Sequence, residues 1–463
     1  MITTNTQHSL LAVKLKVLPP ISGRIRTVKG FVCARVTQYA ALCLVAGAEA
    51  GVAQIRCPLT EWTVPRAIKT DAGVLAYVES PAILPSANGI TLVGSPTLEW
   101  GAKVERSGTR DTIRLAGAIE HPWIGVYAGQ TLQGIPRPLG ANVTRNPVTV
   151  PLRDHAVVFW SEAGDSTVSP TLIASEIWTA TLTSAGVRGR TLALGAQEIR
   201  WGRGMAGSAL VGGDPAFAAA ASDRNPQSRH QGIVFVRGRG VTWKTTWIDF
   251  AGMPPTYVTM AASGNHAVVA FIGSVEARVS ATQGVFVVES TDGGATWTAP
   301  SAVHVFANGE YSGAPRLTLE SSGRMSLFWG VRYEPRSTFE RIAIASFDPG
   351  ARSWTIDSPL SFADGSNVLD VLLGPGNVPW VLTRSSPGHT LRISRRDQPG
   401  STWETGVLPL GHIAASVPTM AFLDSNRLLV AVGVPFGPSE IGGLILPQPV
   451  LMTMEHTLSC APR

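Results

Sequence analysis

Four short turns, each closing on a tryptophan, recur along this chain at nearly constant spacing. The fullest is "ESTDGGATWTAP" (289–300). "RGRGVTWK" closes on Trp243, "SFDPGARSWT" on Trp354 and "RRDQPGSTWE" on Trp403, so successive tryptophans stand 54, 57 and 49 residues apart. A period of this length marks an array of equal supersecondary units, none of which buries its own apolar surface alone. Ahead of the turns stands a second recurring unit, two apolar runs around a polar or glycine turn. The clearest is "GAPRLTLESSGRMSLFW" (313–329), and similar units begin at Val150, Asp214, Pro255, Asn367 and Ser416.

An apolar hairpin followed by a hairpin with a tryptophan-closed turn makes about 50 residues of four-stranded antiparallel sheet. Six such sheets set radially cover one another's faces. The pattern therefore predicts an all-β fold, a six-bladed β-propeller over residues 145–455 with a C-terminal tail at 456–463. Runs such as "AVVAFI" (267–272) suit inner strands with both faces dry. The 48 glycines, 33 prolines and 13 tryptophans in 463 residues fit many short strands and tight turns. The ring is expected to close when an early strand completes the last blade. Residues 57–140 carry further strand-like runs, and two placements stay open for them: a small separate β unit, slightly favoured, or a seventh blade.

Within the complete turn, Gly293 and Gly294 supply positive-φ positions. Asp292 is placed to accept hydrogen bonds from backbone N–H groups just beyond it, and Trp297 to fold back over the turn. Asp292 thus reads as a fastener rather than a catalyst.

The formal net charge is +6, but residues 1–50 hold Lys14, Lys16, Arg24, Arg26, Lys29 and Arg35 against Glu49 alone, a balance of 6 − 1 = +5, which leaves 6 − 5 = +1 for the remainder. That is no footprint for nucleic acid. The early basic residues precede "TQYAALCLVAGAEAGVA", a short apolar stretch with Ala48-Glu49-Ala50 as an Ala-x-Ala site. Residues 1–50 read as a signal-like leader for bacterial-type export to the periplasm or medium; its unusual length implies either a start codon placed too far upstream or, instead of a leader, an ordinary N-terminal piece. No integral membrane span is expected in the mature chain. Removing the leader would leave Cys57 and Cys460, one near each end, either as a disulfide in an oxidising compartment or as two unrelated thiols.

Other motifs carry little. "GRGMAG" (202–207) satisfies Gly-x-Gly-x-x-Gly but is followed by "SALVGGDP", with no helix to face a pyrophosphate. The nine histidines never take metal-ligand spacing, so no metal and no cofactor are expected. There is no Gly-x-Ser-x-Gly elbow and no Gly-x-x-x-x-Gly-Lys loop. Trp160, Trp329 and Trp380 end or occupy apolar runs and read as core. Trp123 and Trp201 stand in less regular contexts and are the weaker candidates for stacking on a ligand.

"STDGGATW" fits the Asp-box, Ser-x-Asp-x-Gly-x-Thr-Trp, through Ser290, Asp292, Gly294, Thr296 and Trp297. In this the chain resembles the sialidase (neuraminidase) superfamily of Asp-box (BNR repeat) propellers over about residues 145–455. The resemblance implies a peripheral, structural Asp-box. It also implies a substrate carboxylate clamped by arginines, a tyrosine nucleophile activated by a glutamate, and an aspartate acid/base. Arg145-Asn146-Pro147 is similar to the family's Arg-Ile-Pro, and Asp165 stands where the family places its acid/base. At the tyrosine position this chain reads "IAASVPTM", with Ala415 before Ser416. A methyl group is no nucleophile. Tyr311 in "GEYSGAPRL", with Glu310 beside it, is the displaced substitute, and Arg316 and Arg332 are the further clamp candidates. The resemblance thus implies a sialidase-like propeller that binds a glycan or an extracellular protein through a degenerate site. The alternative it leaves is an exo-α-sialidase-type glycoside hydrolase.

Overall fold

In a computed structural model the chain is described from residue 55 to 460. The exceptions are 57, 68, 71–79, 87–88, 96–100, 108–109, 117–122, 129–130, 134–143, 153–154, 163–172, 175, 184–185, 196, 201–205, 224–229, 251–254, 275–282, 335–337, 386–389, 398–400, 411–417 and 442–443. The leader, Cys57, Asp165 and Trp201 lie outside the described residues. Among those described, strands dominate, and the helical content is one 3₁₀ turn at Pro375–Asn377. No helix among them is long and apolar enough to cross a membrane.

The chain forms a six-blade propeller of antiparallel sheets. The first blade runs through Thr144–Pro151, Ala156–Glu162, Glu176–Thr183 and Gly186–Leu194 from inner to outer strand. The second uses Ala206–Val211, Asp214–Asp223, Gln231–Arg239 and Thr242–Asp249. The third, from Tyr257–Ser263 to Ser301–Val305, is the most regular. The fourth starts with Glu310–Ser312 and Arg316–Leu319 laid along Met325–Tyr333. The fifth begins at Asn367–Leu373, and the sixth is Thr419–Asp424, Arg427–Ile441, Leu444–Thr457 and Arg66–Ala67. One assignment differs from the sequence reading. The unit starting at Asp214 supplies the second and third strands of its blade, not the innermost. The inner strand Ala206–Val211 escaped notice because its small residues, Ala206, Gly207 and Ser208, lack the bulk that marks the other inner strands. A Cβ on Gly207 would overlap the backbone of Met260 in the next blade, so a glycine is needed there.

The core lies between blades. In His266–Ser274, Ala267, Val269 and Phe271 pack into the layer shared with the second blade, while Val268, Ala270 and Ile272 pack into the layer shared with the fourth. All six are almost wholly buried. This is why the run is apolar without alternation: a period-2 strand with two dry faces needs apolar residues at every position. Each of the larger side chains contributes about 1.5–3 kcal/mol of transfer free energy. Trp160, Trp329 and Trp380 are core residues, as their runs predict.

The tryptophan turns join neighbours. Trp243, Trp297 and Trp403 each meet a phenylalanine of the preceding blade edge-on, Phe159 at 5.4 Å, Phe235 at 5.0 Å and Phe328 at 6.4 Å between ring centroids. Trp243 and Trp297 also donate their indole N–H to the carbonyl three residues back, on Gly240 at 3.0 Å and Gly294 at 3.2 Å.

The last blade is closed from the other end of the chain. Arg66 and Ala67 pair with Thr453 and Met452, and Trp62 bridges to His456. Thr63 and Glu455 exchange two bonds, Thr63 N–H to the Glu455 carbonyl at 2.9 Å and Glu455 N–H to the Thr63 hydroxyl at 2.8 Å. A further sheet, built from Lys69–Thr70, Ser80–Ser86, Gly89–Ser95, Trp123–Ala128 and Thr131–Gln133, stands between the last blade and the first. Its strand Ser80–Ser86 touches the inner strands Thr419–Asp424 and Thr144–Pro151.

Candidate functional site

Of the described candidate residues, Glu310, Tyr311, Arg316 and Arg332 lie on the fourth blade and Arg145 on the first. Glu310–Ser312 pairs with the end of Met325–Tyr333 so that Tyr311 lies opposite Arg332 and Glu310 opposite Tyr333. Residues directly opposite in a ladder share a face, and adjacent residues take opposite faces. The Arg332 guanidinium accordingly sits over the Tyr311 ring, 4.7 Å from its centroid. Glu334, two residues on from Arg332, accepts the Tyr311 hydroxyl proton in a hydrogen bond. Tyr311 remains 39% exposed. Behind this group Arg341 donates to the Tyr333 hydroxyl at 2.9 Å.

The electrostatics of the trio are one-sided. The hydrogen bond to Glu334, and then the charge of that carboxylate, raise the Tyr311 phenol above its ordinary value, and Arg332 opposes this only in part. Tyr311 is therefore a neutral donor at pH 7, with an acceptor in place for its proton. An exposed aromatic face, a cation and a carboxylate together make a surface on which a polar ring-shaped ligand can stack and exchange hydrogen bonds.

Glu310, adjacent to Tyr311 in sequence, is on the other face of the strand. Its side chain is 4% exposed, contacts His304 Nε2 at 2.8 Å and accepts the Ala307 N–H at 3.0 Å. It secures the approach to the fourth blade, and the phenol's partner is Glu334. Sequence reasoning missed Glu334. The signal lay in the alternation Arg332, Glu334 on the face shared with Tyr311.

Arg316 is not beside Arg332. It is half-buried, donating from Nε to the Leu369 carbonyl at 2.7 Å and from Nη1 to the Pro315 carbonyl at 3.1 Å. Asp370 on the fifth blade supplies the compensating charge and accepts from Val371 N–H at 2.9 Å, Met420 N–H at 3.0 Å and the Thr419 hydroxyl at 3.2 Å. Burial pushes Arg316 down and Asp370 up, each against the attraction of the other. The inner strands of the fourth, fifth and sixth blades are thereby linked in series. A similar bond, Ser208 hydroxyl to the Thr149 carbonyl at 3.0 Å, links the second to the first.

Arg145 lies on the innermost strand of the first blade with its backbone opposite Ser161. Asp292 spends both carboxylate oxygens on its own turn. Oδ1 accepts from Ala295 N–H, Thr296 N–H and the Ser290 hydroxyl at 2.8–3.0 Å, and Oδ2 from the Thr296 hydroxyl at 2.6 Å. The Thr296 hydroxyl, followed by Thr296 N–H and Ser290, holds this carboxyl well below the usual range. Ser290 in turn accepts the Gly294 N–H at 2.7 Å. Among the described residues there is no group of three or more His, Cys, Asp or Glu suited to a metal ion.

No family model and no curated protein matches this sequence. Among solved structures, a protein of unknown function from Dyadobacter fermentans is similar at 14% identity and a TM-score of 0.48, over 87% of this chain and all of its own. An α-L-arabinanase from Penicillium chrysogenum, complexed with arabinobiose, is similar at 13% identity and a TM-score of 0.44, over 68% of this chain and 93% of its own. A mutant Trypanosoma rangeli sialidase with trans-sialidase activity is similar at 9% identity and a TM-score of 0.43 over 87% of this chain, which spans 60% of the sialidase.

Proposed function

We propose that this chain is an exported recognition propeller that binds a glycan on the fourth blade, with Tyr311, Arg332 and Glu334 as its contact group. The observation that carries the reading is the Arg332 guanidinium held over the exposed Tyr311 ring while Glu334 fixes the phenol. Such a trio offers a stacking face, fixed donors and a carboxylate acceptor, the elements that hold a sugar's apolar face and its hydroxyls. Binding without turnover is favoured because Arg316 is committed to the Leu369 and Pro315 carbonyls. That leaves Arg332 as the described clamp arginine near the tyrosine.

The second reading, a glycoside hydrolase of exo-α-sialidase type, is favoured by one feature, the Tyr311–Glu334 hydrogen bond. There a base is in place to take the phenol proton as the oxygen attacks. One pair of measurements separates the two. Titration with sialyllactose and with lactose should give saturable binding that Tyr311→Ala weakens by about tenfold or more, while a fluorogenic sialoside stays intact. Release of fluorophore, abolished by Tyr311→Phe, would replace the first reading by the second. Absence of binding to both sugars with no turnover would end both.

A further inference from the structure

The interface between the first and second blades contains a cavity of about 300 Å³. Its origin is visible by comparison with the next interface along. Beneath the third blade's tryptophan turn, the Gly294 carbonyl accepts from the Trp297 indole and from the Thr246 hydroxyl at 3.1 Å, and Thr246 pairs across its sheet with Phe235. Beneath the second blade's turn, the Gly240 carbonyl accepts from the Trp243 indole and from the Thr191 hydroxyl at 3.0 Å, and Thr191 pairs with Thr179. The two turns share this pair of bonds to the glycine carbonyl. Thr179 therefore stands where the next blade has Phe235, and Thr181, two residues on, where it has Arg237.

The exchange of Phe and Arg for two threonines removes the filling. A Cβ on Gly294 would run into the Phe235 ring, and one on Gly293 into the Arg237 guanidinium. A Cβ on Gly240 meets nothing within 4 Å. Phe159 on the adjacent strand takes over the edge contact with Trp243, so the turn stays packed while the space above Thr179 is open. Leu152, Val157, Pro215 and Trp243 supply apolar wall, and Thr179, Thr181, Thr191, His155 and Arg239 the polar part. Thr179 is 2% exposed and its hydroxyl has no hydrogen-bond partner. A buried hydroxyl without a partner costs about 1–3 kcal/mol, and Thr179 is among the residues that line the cavity.

We propose that this inter-blade cavity is a binding site for a small monocyclic aromatic molecule carrying one oxygen acceptor, of the benzyl alcohol class. Its ring takes the volume that Phe235 fills in the next interface, and its oxygen satisfies Thr179. The volume is at the lower end of ligand pockets and is ample for one ring with its substituent. The site is independent of the Tyr311 group and stands or falls separately from it.

The test is a titration of the full chain with benzyl alcohol and with toluene, followed by ligand-observed NMR. The wild type should bind benzyl alcohol saturably and about tenfold more tightly than toluene, the worth of one buried hydrogen bond. Thr179→Val, which keeps shape and removes the hydroxyl, should abolish that preference while leaving toluene binding intact. Thr179→Phe, which copies the neighbouring interface, should abolish binding of both and raise Tm; Thr181→Arg serves the same purpose if that variant fails to fold. No saturable binding by the wild type, equal affinity for the two probes, or binding that survives the filling variants would overturn the proposal.

Discussion

The ring of Trp62 lies 5.0 Å from the ring of His456, bringing the two ends of the described chain into one sheet edge. Trp62 donates its indole N–H to the Leu59 carbonyl at 2.6 Å, the same three-residue reach by which Trp243 holds Gly240 and Trp297 holds Gly294. Leu59 is buried among residues of the fifth and sixth blades, and its N–H is accepted by Glu404 at 3.2 Å. Residues 58–62 are thus the tryptophan turn of the last blade, supplied from the far end of the sequence. Trp62→Ala should lower the free energy of unfolding by about 2–4 kcal/mol, read from urea denaturation. A loss below about 0.5 kcal/mol would mean that the closure does not depend on this turn.

His456 makes the same closure sensitive to acid. Its ring is fully buried, Nδ1 donates to the Glu61 carbonyl at 2.9 Å, and Nε2 has no partner. Burial lowers its pKa, with the nearby Arg395 acting in the same direction and the Glu61 carbonyl, Glu404 and Glu61 carboxylates opposing. A base whose folded value lies below its unfolded value stabilises the fold fully above about pH 6.5 and loses that contribution as pH falls through the folded value. Thermal melts from pH 7.5 to 5 should show Tm falling below about pH 6.5, with a flatter profile in His456→Gln. Parallel profiles would exclude His456 as the cause.

Gly240 and Gly294 have φ of +58° and +87°, so an alanine at either adopts a left-handed backbone at a cost of about 1–2 kcal/mol. Only at Gly294 does the new methyl also collide with Phe235, adding about 1–3 kcal/mol of overpacking. Gly294→Ala should therefore be the more destabilising of the two by that margin in chemical denaturation. Equal costs would show that the two turns are packed alike, and would count against the cavity as well.

Arg316 and Asp370 are both half-buried and hydrogen-bonded, so neither is innocuous to remove singly. Asp370→Asn keeps an acceptor for Met420 N–H but leaves the Arg316 charge without compensation, and Arg316→Met does the reverse for the carboxylate. Each should cost about 1–3 kcal/mol. The double variant should cost less than the sum by at least about 1 kcal/mol, the coupling expected of neighbours in one network. Strict additivity would show that the charges do not act on each other.

Much of the architecture was legible because the propeller writes its packing into the sequence twice, as apolar runs without alternation and as tryptophans at a fixed interval. Trp243, Trp297, Trp354 and Trp403 fall in the successive blades their spacing implies. Trp62 was hidden because "PLTEW" lacks the glycines of the other turns and its blade is split between distant parts of the chain. The inner strand Ala206–Val211 was hidden because close approach there selects small residues. At the candidate site, Tyr311 and Arg332, both singled out by residue type, face each other across the ladder, whereas Glu310 and Arg316 lie apart from them. Strand alternation sends Glu310 to the opposite face, and an arginine on an inner strand can be consumed by a neighbouring blade's carbonyl as readily as by a ligand's carboxylate. Thr179 carried no signal at all, since its meaning appears only when two interfaces are compared.

Splitting the sixth blade between residues 58–67 and 419–457 also orders events at the ribosome. At about 5–20 residues per second, the segment holding Trp62 emerges some tens of seconds before its partner strand has been made. Meanwhile the earlier sheets can stack on one another. The edge stays unpaired until residues 444–457 have been made, which leaves this seam open longer than the blades built from consecutive strands and offers a neighbouring nascent chain a place to insert a strand of its own.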